Sequence, residues 1–212
     1  MEPRGFGRAA AAPDPSMNKA PTTMSARPNL TREDWIQAAQ HVLVSSGVDA
    51  VRVDTLAKQL KITRGSFYYH FKSRGELLEG ILGNWRARAT EDVILSLRNA
   101  HAAPLQQLKR LLELPAHGQA AREAAAIELG IRAWARRDKQ ARQAIDEVDS
   151  HRLNYIEGLL IQAGTPADEA QDRAYLVYAY RISLSLLPGD EGAQRNQRMA
   201  RLLLPEDAAV PA

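Results

Sequence analysis

The stretch Val53–Lys72, VDTLAKQLKITRGSFYYHFK, decides how the whole chain is read. Val53, Leu56, Ala57 and Leu60 recur at i, i+3, i+4 and i+7, the spacing of a helical stripe that faces a core. Only Lys61 and Ile62 separate this helix from Thr63, which can cap a further short helix running to Phe71. Two short helices joined by so tight a turn cross steeply and leave the second one protruding, the geometry of a helix-turn-helix. On the wheel of that second helix Phe67 and Phe71 share one side, the natural core side. Gly65, Ser66, Tyr68 and Tyr69 point largely away, with Arg64 and His70 on the flanks. Two outward tyrosines are odd on a solvated face and suit a surface that docks onto something polar.

If that surface is duplex DNA, each outward residue has a chemical task. Arg64 can fork onto guanine O6 and N7, and Ser66 is short enough to approach a base edge. Gly65 lets the backbone come close to the groove. Tyr68, Tyr69 and His70 can donate to phosphate oxygens, which fixes register without reading sequence. Lys72 precedes the next helix, where a phosphate would also meet free backbone N–H groups. Thr55 and Thr63 complete the expected set of DNA contacts. The charges from Arg52 to Arg74 are Arg52, Asp54, Lys58, Lys61, Arg64, Lys72 and Arg74, a local basic patch of the kind phosphate binding needs. The net charge of the whole chain, +3, says far less.

The run Ala50–Leu78, and within it Thr63-Arg64-Gly65-Ser66-Phe67-Tyr68-Tyr69-His70-Phe71-Lys72, closely resembles the DNA-binding domain of the tetracycline-repressor (TetR) family. The resemblance reaches back to about Thr31 and weakens beyond Trp85 to a general all-helical match. It implies a dimeric regulator, usually a repressor, that leaves its operator when a small molecule binds the second domain. Two positions depart from the family pattern. Lys61 stands where glycine is common in the turn, and a left-handed residue with a Cβ costs roughly 1–2 kcal/mol. Arg52 stands where a hydroxyl commonly caps the helix, with Asp54 there to favour the positive helix end.

Outward from this segment the chain reads as helix after helix. Thr31 with Asp34 makes an approximate capping box, and Ser46-Gly47 ends the helix it opens. Ser73 can cap a helix carried to about Leu97. Pro104, Pro115, Gly118, Gly164-Thr165-Pro166 and Pro188-Gly189 then leave helices near Leu105–Leu114, Gln119–Arg136, Lys139–Ala163, Ala167–Leu187 and Glu191–Leu204. The expected fold is all-α: a disordered tail over 1–28, with Met17 and Met24 as alternative starts, a helix-turn-helix head over 29–85, and a helical ligand-binding and dimerisation body over 86–212. The stretch Ala174–Leu187 is apolar nearly all round, with Arg181 its only charge, so a partner subunit is expected to cover part of it.

Cysteine is absent, which excludes disulfides and thiolate chemistry and agrees with a cytoplasmic setting. No apolar run is long enough to span a membrane, and no export signal is visible. No catalytic constellation appears, and no cofactor is expected. Glu147 and His151 share a helix face, but the spacing of a di-iron site is missing. The expected partners are double-stranded operator DNA, a second copy of the chain and a small-molecule effector. Candidate effector contacts are Trp85, His117, Arg132, Trp134, Tyr155 and Tyr178. For Trp134 a plain core position is the stronger reading, and for Arg132 an i, i+4 pair with Glu128. The alternatives are a DNA-binding regulator without an effector, a sequence-independent nucleoid-type protein, and an all-helical enzyme with a vestigial head.

Overall fold

The computed structural model describes residues 30–114, 118–187 and 192–205. Among these residues every regular element is a helix. The head comprises α1 (Arg32–Ser46), α2 (Val53–Gln59) and α3 (Arg64–His70). A long helix follows as α4 (Arg74–Arg86), one π turn (Ala87–Glu91) and α5 (Asp92–Asn99). The body continues with α6 (Pro104–Glu113), α7 (Gln119–Ala135), α8 (Lys139–Gln162), α9 (Ala167–Ser183) and α10 (Gly192–Leu203). The expected tail lies outside the described residues.

Local chemistry sets the ends of these helices. Thr31 caps α1 in a true capping box: the Asp34 N–H donates to Thr31 Oγ1 (3.2 Å), and the Thr31 N–H donates to the Asp34 carboxylate (2.6 Å). Gly47 then ends α1 at φ 77°. Lys61 adopts φ 55° at the end of α2. There the Ile62 N–H donates to Ala57 O (3.0 Å) and the Lys61 N–H to Lys58 O (3.2 Å), the paired bonds of a Schellman turn. The departure from glycine at this position therefore leaves the turn intact. Ser73 caps α4 by accepting from the Glu76 N–H (3.2 Å). Thr63 holds the N-cap position of α3, but its hydroxyl makes no capping bond. Helix α9 stops at Ser183, short of the expected Leu187. The Ser183 and Ser185 hydroxyls donate back to Tyr180 O and Ile182 O (2.7 Å each), and Pro188 follows closely in the sequence.

Two clusters of buried side chains hold the chain together. The first joins Trp35, Leu43, Leu56, Phe67, Phe71, Leu77 and Trp85 to Ile131, Trp134, Ala141, Ile145 and Val148 of the body. The contact between head and body is close: a Cβ on Gly130 in α7 would lie 3.3 Å from Leu43 Cγ in α1. The second cluster gathers Leu108, Leu112, Ile156, Leu160, Ala174, Val177 and Leu204 from α6, α8, α9 and the end of α10. Helix α8 runs through both clusters and is the spine of the body.

Candidate functional sites: the protruding helix and the body cavity

Helix α3 is anchored from below by aromatic packing. Phe67 and Phe71 are buried, stack at 5.4 Å, and Phe67 meets the Trp35 ring edge-on at 5.2 Å. The opposite face is open. Tyr69 is 87% exposed and Tyr68 56% exposed. Thr55, Thr63, Arg64, Gly65 and Lys72 are exposed too, while Ser66 and His70 are half-buried. Seven of the nine expected contact residues are thus exposed on α2, on α3 or at the ends of α3.

Some details differ from expectation. Arg64 does not reach freely into solvent but pairs with Asp54 on α2 (3.0 Å), both side chains remaining largely exposed. Arg52 Nε donates to Asp49 O, and Arg74 donates to Val51 O and Val48 O (2.6 Å each), so these two cations pin the loop before α2. The basic patch thus narrows to the exposed Lys58, Lys61 and Lys72 together with Arg64. Just ahead of α4, where free backbone N–H groups were expected to meet a phosphate, the Lys72 N–H donates to the Glu76 carboxylate (2.7 Å). A Cβ added to Gly65 would meet only Thr63 Oγ1, at 3.7 Å. Nothing inside the protein requires glycine there.

The second site is a cavity of about 360 Å³ in the body. It opens beside the π turn and is walled by Val93, Ile94, Leu97, Leu111, Ile156 and Ile182. Its charged lining residues are Arg88, Glu128, Arg152 and Arg181. Of the six expected effector contacts, Tyr155 and Tyr178 line it. Trp85 and Trp134 do not; both are buried in the core shared by head and body. Arg132 sits behind the wall, and His117 lies outside the described residues. The i, i+4 pair expected for Arg132 exists: its guanidinium reaches Glu128 at 2.8 Å and also Asp149 at 2.7 Å. Glu147, considered for metal, instead pairs with Arg86 (2.6 Å).

Arg152 is the residue the sequence reading missed. Its five N–H donors make five bonds: to Thr90 Oγ1 (3.0 Å), Ala89 O (3.1 Å), both Glu128 carboxylate oxygens (3.1 Å each) and Tyr178 OH (3.0 Å). It thereby ties the cavity wall to the π turn that follows α4. Burial would raise the Glu128 carboxyl, but Arg152 and Arg132 outweigh it and hold the group below its ordinary value. Burial pushes the Tyr178 phenol up to about 12, with the Asp149 carboxylate adding to the shift. That hydroxyl donates to Asp149 (2.6 Å). Beyond the Glu128–Arg132 pair no local sequence signal marks this network, because Thr90, Glu128, Arg152 and Tyr178 lie far apart along the chain.

Residues 36–81, the head and the start of α4, match the bacterial regulatory proteins of the tetR family. The head is a TetR-type DNA-binding domain. A relative, the HTH-type transcriptional repressor BepR of Brucella suis biovar 1, is 30% identical over 80 residues. That match covers 38% of each chain, so the sequence likeness spans well under half of this relative's length. Solved TetR-like structures match across head and body. A transcriptional regulator from Rhodococcus sp. Rha1 superposes with a TM-score of 0.68 at 19% identity, covering 86% of this chain and 100% of that one. The regulator FadR of Bacillus subtilis, solved with stearoyl-CoA, gives 0.64 at 18% identity, covering 82% and 98%. At such identities the likeness establishes the TetR fold.

Proposed function

We propose that the chain is an operator-binding transcriptional repressor that acts as a cytoplasmic homodimer and is released by a small molecule in the body cavity. The observation that carries the reading is Gly65. The protein leaves room for a side chain at this position on the outward face of α3, beside the exposed Tyr68 and Tyr69, so a docked surface can come close to the backbone there. A groove edge of duplex DNA is such a surface. Around it Tyr68, Tyr69, Thr55, Thr63 and Lys72 are placed to meet phosphates. Arg64 exchanges Asp54 for a guanine, and the exchange is favourable. An exposed ion pair contributes roughly 0–1 kcal/mol, against about 1–3 for a bidentate base contact.

Tyr175, Leu176, Leu186 and Leu187 are exposed along and just beyond α9, and Leu202 is exposed on α10. An apolar surface of this extent suits a second copy of the chain, which would present two α3 helices to an inverted repeat. Release follows from the position of the cavity. A ligand that displaces Arg152 or the π turn acts on α4, which carries the head. It weakens DNA binding only if it prefers the non-binding arrangement.

Selection from a random duplex pool should return an inverted repeat, and transcription from a promoter carrying it should fall when the protein is added. Gly65→Ala should leave the melting temperature equal or higher, since alanine is the better helix former by ~1 kcal/mol. The same change should weaken operator binding roughly tenfold or more. Recovery of an asymmetric site, or unchanged operator affinity in Gly65→Ala, would count against the proposal.

A further inference from the structure

The charged groups facing the cavity are unequally satisfied. Arg152 spends every donor, and Glu128 is shared between Arg152 and Arg132. The Tyr178 hydroxyl is engaged by Asp149 and both arginines, and the Tyr155 hydroxyl donates to Gln107 (2.8 Å). Arg181 is different. Only its Nη1 is used, on Leu114 O (3.1 Å) and, more loosely, Leu112 O (3.5 Å). Among the described residues its Nε and Nη2 make no hydrogen bond, and no carboxylate pairs with it. Burial lowers the guanidinium pKa; Tyr180 works against that shift and Arg152 with it. An arginine does not escape such a site by losing its proton. The protein therefore keeps a positive charge with spare, forked donors against an apolar cavity. Arg88, exposed at the rim, adds a second cation on the approach.

We infer that the cavity takes a small amphipathic organic acid, with its carboxylate on Arg181 and its apolar body against Val93, Ile94, Leu97 and Leu111. This rests on the reading of the cavity as the effector site. A carboxylate matches the guanidinium fork with two parallel bonds. A cationic ligand meets three lining arginines and one glutamate that is already shared. A neutral ligand leaves the Arg181 donors unfilled. The volume lies at the lower end of ligand pockets, which favours a short chain or a single ring over a large conjugate.

The test is calorimetric binding of two acid–alcohol pairs to the full chain: octanoate against octan-1-ol, and 4-phenylbutanoate against 4-phenylbutan-1-ol. At least one acid should bind the wild type about tenfold or more tighter than its alcohol. Arg181→Met should abolish the preference, and Arg181→Lys should keep part of it. Alcohols binding as tightly as the acids would overturn the acid assignment and leave the cavity standing as an effector site. Binding by none of the four would overturn both. An acid preference that survives in Arg181→Met would remove Arg181 from the site. Should that variant fail to fold, the wild-type pairs and Arg181→Lys still decide the matter.

Discussion

The head and the far half of the body are built on opposite plans. In the head, Trp35, Phe67 and Phe71 fill the space between three helices; the buried Trp35 indole N–H has no hydrogen-bond partner among the described residues, but nearby amide side chains are paired. Gln40, for example, is buried yet donates to Asn84, which in turn donates to Glu33. In the body, α5, α6, α8 and α9 leave a cavity, and a cluster of arginines and carboxylates stands at its wall. A filled aromatic core holds one shape. A void beside a charge network leaves room for a second, and a ligand can select between them. The contrast suits the proposed function, in which the filled head meets the duplex and the hollow body meets the effector.

This contrast can be broken by substitution. The largest effect is expected from Phe67→Ala, at about 3–5 kcal/mol of stability, because the fully packed site cannot collapse around the loss. Ile94→Ala, on the cavity wall, should cost about 2 kcal/mol, the low end for such a change, since its side chain already borders empty space. Equal losses in denaturant titrations would refute the distinction between the two regions.

Between these two in size is Glu128→Gln, which leaves Arg132 and Arg152 without their shared carboxylate and should cost about 3 kcal/mol at neutral pH. Its pH signature is specific. The folded carboxyl sits below the ordinary 4.5, so the unfolded chain takes up a proton first as acid is added. The stabilisation is whole above about pH 4.5 and is lost as the pH falls through the lower folded value. The difference in melting temperature between wild type and Glu128→Gln should therefore shrink in that acid window. A constant difference from pH 7 to pH 3 would show that the carboxylate charge does not hold the cluster.

The smallest effect has the opposite sign. Lys61→Gly relieves a left-handed residue and should stabilise by about 1 kcal/mol. Because the head is shared core, the gain should appear in the global unfolding transition. A loss of stability would mean that the Lys61 side chain contributes packing that outweighs its backbone strain.

Much of the head was legible in the sequence because its determinants are local. The apolar period of Val53–Leu60, the cap at Thr31, the Phe67/Phe71 pair and the tight turn are set by residues within one or two helical turns. The body's helices were legible for the same reason, through their proline and glycine boundaries. The network was not. Glu128 and Arg152 lie on different helices, Tyr178 on a third, and each alone reads as an ordinary surface or core residue. Trp85 looked like a pocket wall because aromatic residues serve both uses, and the packing of α4 onto α8 assigns it to the core; Trp134, for which the core was the stronger reading, is buried there as well. One signal was present and underused: Arg181, the lone charge in an apolar stretch, was read as part of a contact surface, whereas it lines the cavity.

The π turn at Ala87–Glu91 gives the molecule an angular setting. A π turn carries one residue more than the α turn it replaces, and each α-helical residue advances about 100° and 1.5 Å. Drawing the surplus residue out of Ala87–Glu91 would swivel the head by nearly a third of a revolution against the body while hardly changing its distance. Arg152 clamps the turn at two successive residues, through the Ala89 carbonyl and the Thr90 hydroxyl, and Gly130 packs against Leu43 on the other side. The heading of α3 is thus locked at two points, one of which lies in the cavity wall.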